Sequence, residues 1–546
     1  MTATPLPVEA REPRLREFIA RLVAEIEPLH LAFNRATWLA NITGDPVHEA
    51  EAGRLDAAMR TVFARREAYQ FLRSLQDAGG VADPQLQRQL VLLTAQHRAQ
   101  QIAPERIARM VAIEKSLESR FNTYRATLDG ASVTDNGLLE VLRESDDVAR
   151  RRRAWEASKQ IGSEVVGELL DLVRMRNDAA REIGYRDYYA MMLELDELDE
   201  GELTALLDEI DRGTRPLFEA YRQDLDPRIA TRFGIRVEDL RPWHLSDPFF
   251  QEAPAGEVSL DPWYEGKSLE AMTDAFFSAI GFDIRETLAR ADLYEKPGKC
   301  QHAFCITMDR LADVRVLCNL RSNEYWMATL LHEFGHAVYD LGIDRSLPFV
   351  LRTPAHTLTT EAVAMLFGRL SRNAAWLARW AGMPAAEART LGEASRRAIR
   401  AQLLVTTRWE LVMCAMEREL YRDPEQDLNT RWWDLVERYQ WVTRPEGRQA
   451  PDWASKIHFS VAPVYYQNYL LGEIMASQIQ GALLGRVLGG GADAWERFVS
   501  TPAVGRHLTE RLFRPGRAVD WRHAVRDVCG APFSSTTFVD ELAGRD

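Results

Sequence analysis

The chain has little cysteine: five residues in 546 (Cys300, Cys305, Cys318, Cys414 and Cys529). That odd, small number means a disulfide framework does not explain the fold. Positive charge is not in excess. The formal net charge is −13, which disfavours nucleic acid as a partner and favours solubility. No stretch of about 18 or more apolar residues occurs, so no helix is expected to span a membrane. Residues 1–16 are rich in proline and charge and contain no apolar signal core, so secretion by that route is not expected and the cytoplasm is the default. There is no internal repeat and no low-complexity linker. Histidine is also scarce, with 11 in the whole chain, and two of these stand four residues apart.

Those two lie in Leu331-His332-Glu333-Phe334-Gly335-His336-Ala337, which continues a helical pattern begun at Tyr325. On a helix the spacing i, i+4 puts both imidazoles on one face, one turn apart, where both can reach one metal ion. Glu333 falls beside them and can take a proton from an attacking water. A catalytic zinc ion needs three protein ligands and one open position. Glu361, in a second helix-like run over 359–370, is the candidate third ligand. Two histidines and a glutamate around Zn2+ describe a hydrolytic site.

Elsewhere the apolar spacing predicts helices over 12–33, 50–78, 84–127, 138–183 and 202–222, the longer ones being more than one helix each. Gly79-Gly80, Asp129-Gly130, Gly184 and Asp226-Pro227 read as breaks, and 444–451 and 489–491 as loops. Strand-like alternation is confined to 300–320, in Ala303–Thr307 and Val314–Cys318, just before the zinc helix. Arg150 to Arg153 form one basic run. Beside Glu144, Asp146 and Asp147 it reads as a solvated helix face.

A second group of polar and aromatic residues follows: Lys456, His458, Pro463, Tyr465, Tyr466 and Tyr469. Alone they would read as an aromatic core stripe with a surface lysine. Next to a zinc motif they read as a peptidase's working groups. Tyrosine and histidine donors suit a tetrahedral oxyanion, and lysine suits a terminal carboxylate.

With these motifs in view the chain resembles the angiotensin-converting-enzyme family of zinc peptidyl-dipeptidases, in a bacterial-type cytosolic form. The resemblance runs through Glu295-Lys296-Pro297, Cys300-Gln301-His302-Ala303, the zinc motif, Glu361-Ala362, Trp432-Trp433-Asp434-Leu435 with Tyr439-Gln440, and Lys456-Ile457-His458. The thimet-oligopeptidase-like family shares the zinc motif and the tyrosine-rich region and fits less well around His302 and the paired tryptophans. The resemblance implies that His302 and Ala303 hold the substrate backbone as an added strand. It implies that His458 and Tyr469 stabilise the oxyanion, and that Lys456 and Tyr466 grip the substrate's C-terminal carboxylate. Placing Tyr466 and Tyr469 in these roles requires one extra residue after His458; without it Tyr465 takes the carboxylate role.

Three departures from the family pattern stand out. A glutamine that helps hold the carboxylate is replaced by Leu245. An aspartate that orients a zinc histidine is replaced by Met365, leaving the partner of His332 unassigned. The chloride-binding arginines fall on Val436 and on Gln467 or Asn468. Cys300 and Cys318 lie near the positions of a disulfide in secreted relatives, and in a reducing compartment that bond is not expected.

The resulting expectation is a mainly α, two-lobed helical metallopeptidase, a single domain over 1–546. It has a deep central cleft, a small β hairpin near the zinc site, and short peptides as substrates that lose C-terminal dipeptides. A thimet-type endo-oligopeptidase is the first alternative. A non-catalytic zinc or peptide-binding protein is the second, and Glu333 argues against it, because a structural site needs no base and is usually closed by four protein ligands.

Overall fold

The computed structural model describes residues 7–254 and 259–545. Residues 1–6, the start of the segment read as lacking a signal core, lie outside the described residues. The fold is 70% helical with two small two-stranded antiparallel sheets. No helix among the described residues is long and apolar enough to cross a membrane. The chain divides into two compact units. The first comprises Met1–Gln101, Val258–Arg396 and Leu471–Phe538, and the second comprises Ile102–Glu257, Arg397–Leu470 and Val539–Asp546.

The first unit opens with a helix, Val8–Thr43, longer than the predicted 12–33. Its stripe of Leu15, Ile19, Leu22 and Ile26 packs on Leu72, Leu75, Leu86, Leu90 and Leu93. At roughly 25 cal/mol per Å² of apolar surface, such burial outweighs the two prolines inside the helix, Pro13 and Pro28. The strands Phe304–Thr307 and Val314–Leu317 form the predicted hairpin, with Phe304 opposite Leu317 and Thr307 opposite Val314. The hairpin packs against the helix Glu324–Gly342, which carries the zinc motif. That helix lies along Thr357–Gly368, the second predicted run. Gly335 permits the close crossing: a Cβ there would stand 2.8 Å from the Ala364 Cα.

In the second unit the predicted helices divide as expected. Residues 138–183, for example, fall into Asp135–Glu144, Val148–Ser158 and Gln160–Glu182. Three expectations need correction. Asp226-Pro227 does not break the chain; Glu200–Phe233 is one helix with Pro216 and Pro227 inside it. Burial of Phe218, Leu225 and Ala230 on the core side outweighs the missing backbone donor. A second hairpin, Ala126–Leu128 with Ala131–Val133, lies outside the one region read as strand-like. Its strands are too short to show alternation. Its turn is Asp129-Gly130, and both residues have positive φ (54° and 81°), as the tight hairpin turn requires. Finally, Arg151 in the basic run is fully buried, not solvated. It donates to the carbonyls of Trp243 (2.8 Å), Leu245 (2.9 Å) and Ser145 (3.0 Å). A buried guanidinium is tolerated where carbonyls satisfy it.

Candidate active site

The zinc-motif helix starts at Asn323, whose side chain accepts from the Trp326 amide at 3.0 Å. Its outer face presents His332 and His336, with ring centroids 4.9 Å apart. Glu361 on the neighbouring helix reaches both: its Oε2 lies 3.8 Å from His332 Nε2 and 3.9 Å from His336 Nε2. One donor atom from each residue lies within 4.8 Å of the others. Burial lowers His332 to about 4 and His336 to about 3, so both imidazoles are neutral and keep a lone pair for a metal. Glu361 is pushed up to about 7, first by burial and then by Glu473. Glu333, only 6% exposed, is pushed up to about 8 by burial and by Glu361. Two neutral imidazoles and crowded carboxylates make a site short of positive charge, and a divalent cation supplies what is missing. Donor types, number and spacing fit zinc.

His336 Nδ1 lies 2.7 Å from Thr360 Oγ1, which orients the ring from behind. This partner escaped the sequence reading, whose only signal was a polar residue adjacent to the third ligand. His356, the other histidine near Glu361, caps the second helix instead: its Nδ1 accepts from the Leu358 amide at 3.0 Å. His302 and Ala303 stand immediately before the strand Phe304–Thr307, with His302 exposed. Among the described residues that strand pairs on one side only, with Val314–Leu317.

Residues 141–544 match the model of peptidase family M3, which is most of the chain and includes every residue named above as a candidate. The chain belongs to peptidase family M3. This M3 peptidase is also matched over residues 9–234 by the angiotensin-converting enzyme model, which bears out the resemblance read from the sequence. No curated protein matches it. It is a metallopeptidase that acts on peptides.

The second unit of the M3 peptidase gathers the remaining predicted residues into one cluster. Lys456 Nζ lies 5.1 Å from the ring centres of both Phe249 and Trp409 and donates to Gln251 Oε1 at 2.8 Å. Trp409 Nε1 donates to the Tyr466 hydroxyl at 3.1 Å. Tyr466 packs edge-on against His458 (4.9 Å) and Tyr469 (5.5 Å), and Tyr469 against Tyr465 (5.2 Å). Burial, aided by Lys456, lowers His458 to about 4, so it is a neutral ring able to donate one N–H. Arg176, fully buried, holds the residues after His458: it donates to the carbonyls of Phe459 (3.0 Å) and Ser460 (2.6 Å). Just before the tyrosines, Val464 sits at φ 55°, costly for a β-branched residue, with its amide held by Glu417 Oε1 at 2.7 Å.

Gln251 is the second residue the sequence reading missed. Leu245, which stands where the angiotensin-converting-enzyme pattern has a glutamine, is buried, and its carbonyl accepts from Arg151. The amide beside Lys456 comes from six positions later. The only signal was a glutamine after two phenylalanines. All five cysteines, Cys300 and Cys318 included, are free thiols.

Proposed function

We propose that this M3 peptidase is a cytoplasmic zinc enzyme that removes dipeptides from the C-termini of short peptides. The observation that carries the reading is the half-buried His332–His336–Glu361 triad with the buried Glu333 beside it. His332, His336 and Glu361 would hold the zinc, which would supply Lewis-acid polarisation of the scissile carbonyl and of water. Glu333 accepts the proton of the attacking water and passes it to the leaving amine. Burial and the neighbouring Glu361 raise its affinity for a proton, which supports this role. His458 and Tyr469 donate to the oxyanion. His302 and Ala303 align the substrate backbone beside the open edge of Phe304–Thr307, as strand addition requires. Lys456 and Tyr466, with Tyr465 next to them, bind the terminal carboxylate. Gln251, on Lys456, serves as the amide partner that Leu245 cannot provide.

The buried apolar Leu245 favours a second reading, endo-cleavage with a weakened carboxylate grip. Mass spectrometry of matched free-acid and C-terminally amidated peptides separates the two. Dipeptide release that slows on amidation supports the first reading. Equal rates with internal fragments overturn it in favour of the second.

A further inference from the structure

The outward face of the zinc-motif helix does not end at His336. His332, His336 and Asp340 follow one another at intervals of four and share one side of the helix. On the opposite side Leu330, Phe334 and Val338 are buried in the core, whereas His332, His336 and Asp340 are half-buried. Among the described residues the Asp340 carboxylate has no hydrogen-bond or ion-pair partner. Arg310 attracts it, but that guanidinium is engaged elsewhere. Its Nε meets His30 Nε2 at 3.2 Å, another nitrogen donates to the Phe349 carbonyl at 3.2 Å, and its carbon lies 4.4 Å from the Phe349 ring centre. Burial prevails over Arg310 and pushes Asp340 up to about 7. The thiol of Cys305, in the strand Phe304–Thr307, is pushed up by burial and also feels both Asp340 and Glu333. The helix that carries Asp340 and Glu333 packs against the strand Phe304–Thr307.

A half-buried carboxylate without a contacting cation is costly, and a ligand that brings the cation removes the cost. Four helical residues span about 6 Å, which an extended peptide covers in about two residues.

We propose that Asp340 is a substrate-binding residue that receives a primary ammonium group of the peptide, about two residues from the scissile bond. This rests on the peptidase reading above. The ammonium is either the α-amine of a short substrate or a lysine side chain, and the same chemistry serves both.

The test uses full-length, zinc-loaded enzyme and three matched peptides: one with a free α-amine and no lysine, one N-acetylated without lysine, and one N-acetylated with lysine in place of norleucine. Wild type is expected to cleave at least one cationic peptide with kcat/KM roughly tenfold or more above the acetylated, lysine-free one, the scale of a charge-assisted contact. Which cationic peptide gains identifies the source of the ammonium. Asp340→Asn should abolish that preference and leave the acetylated, lysine-free peptide within about twofold, while Asp340→Glu should keep the ranking. Equal wild-type rates on all three peptides overturn the proposal without any variant. So does an Asp340→Asn enzyme that keeps the preference or loses all three activities alike. Failure of the peptidase reading itself looks different: zinc-loaded wild type cleaves none of them.

Discussion

The Nδ1 atom of His336 lies 2.7 Å from the hydroxyl of Thr360, and Thr360 directly precedes Glu361. One candidate ligand is therefore aimed by the chain neighbour of another, across the pair of helices that Gly335 lets approach. Thr360→Val keeps the shape and removes the hydrogen bond. It should weaken zinc binding roughly 10- to 100-fold, the usual effect of losing such a partner, with the helix content unchanged. Competition against a chelator of known affinity checks it, and wild-type affinity would show that helix packing alone fixes the ring.

Glu333→Gln should retain stoichiometric zinc and lose roughly 10²- to 10⁴-fold in kcat, because the ligand set is intact and only the proton acceptor is gone. Glu361→Ala should instead lose the metal. His356 is engaged as a helix cap and offers no ready replacement. Metal analysis beside peptide hydrolysis reads both outcomes; a Glu333→Gln enzyme of wild-type activity would remove Glu333 from the mechanism.

Burial lowers Lys456 to about 8, with Asp247 and Glu252 pulling the other way. The ammonium proposed to bind the substrate's carboxylate is present below that value and is lost as pH rises through it. For a free-acid peptide KM should climb about tenfold between pH 7 and pH 9, following the charged fraction, while an amidated peptide keeps its KM. Parallel pH profiles for the two peptides would assign the carboxylate grip elsewhere.

Peptidase activity should not depend on chloride. Val436, where the angiotensin-converting-enzyme pattern has an arginine, is buried beside Trp432, Trp433 and Lys159, with Asp247 and Asp452 lining the same chamber. An anion entering there meets the Asp247 carboxyl and an Asp452 carboxylate that already occupies Arg448 (2.6 Å). Burial disfavours the charged form of Lys159, the basic residue lining the chamber. Arg431 and Arg438 are turned to Glu419 (3.3 Å) and Asp211 (3.8 Å). Gln467 donates to the Val464 carbonyl (2.6 Å) and Asn468 to Asp196 (3.2 Å). Replacing sodium acetate by sodium chloride at constant ionic strength should leave the rate unchanged. A saturable rise would make Lys159 the first residue to mutate.

The helical character of the chain and the clustering of the three candidate ligands were readable from residue order, because both depend on short-range periodicity. His332 and His336 are four apart on one helix, and Glu361 falls on the helix that follows. Those relations survive any arrangement of the rest of the chain. The hairpin before the zinc helix showed itself in the same way, through alternation over four residues per strand. The Ala126–Val133 hairpin did not, because three residues per strand carry no period and only the Asp129-Gly130 turn marks it.

Tertiary structure alone decided how polar residues are partnered. The same run of arginines contains exposed Arg150, Arg152 and Arg153 and fully buried Arg151, because only Arg151 points at the carbonyls of the Trp243–Leu245 segment, about ninety residues away in sequence. Gln251 meets Lys456 across 205 positions, and no local pattern announces it. Pro227 stays inside a helix because burial along its core side outweighs a lost backbone bond. Asp340 is legible as a residue on the face of the zinc motif, yet its lack of a partner depends on Arg310 being held by His30 and the Phe349 carbonyl, from two other stretches of chain. Periodicity places a side chain on a face. Whether that side chain is solvated, satisfied or left waiting for a ligand is set by groups that only folding brings near.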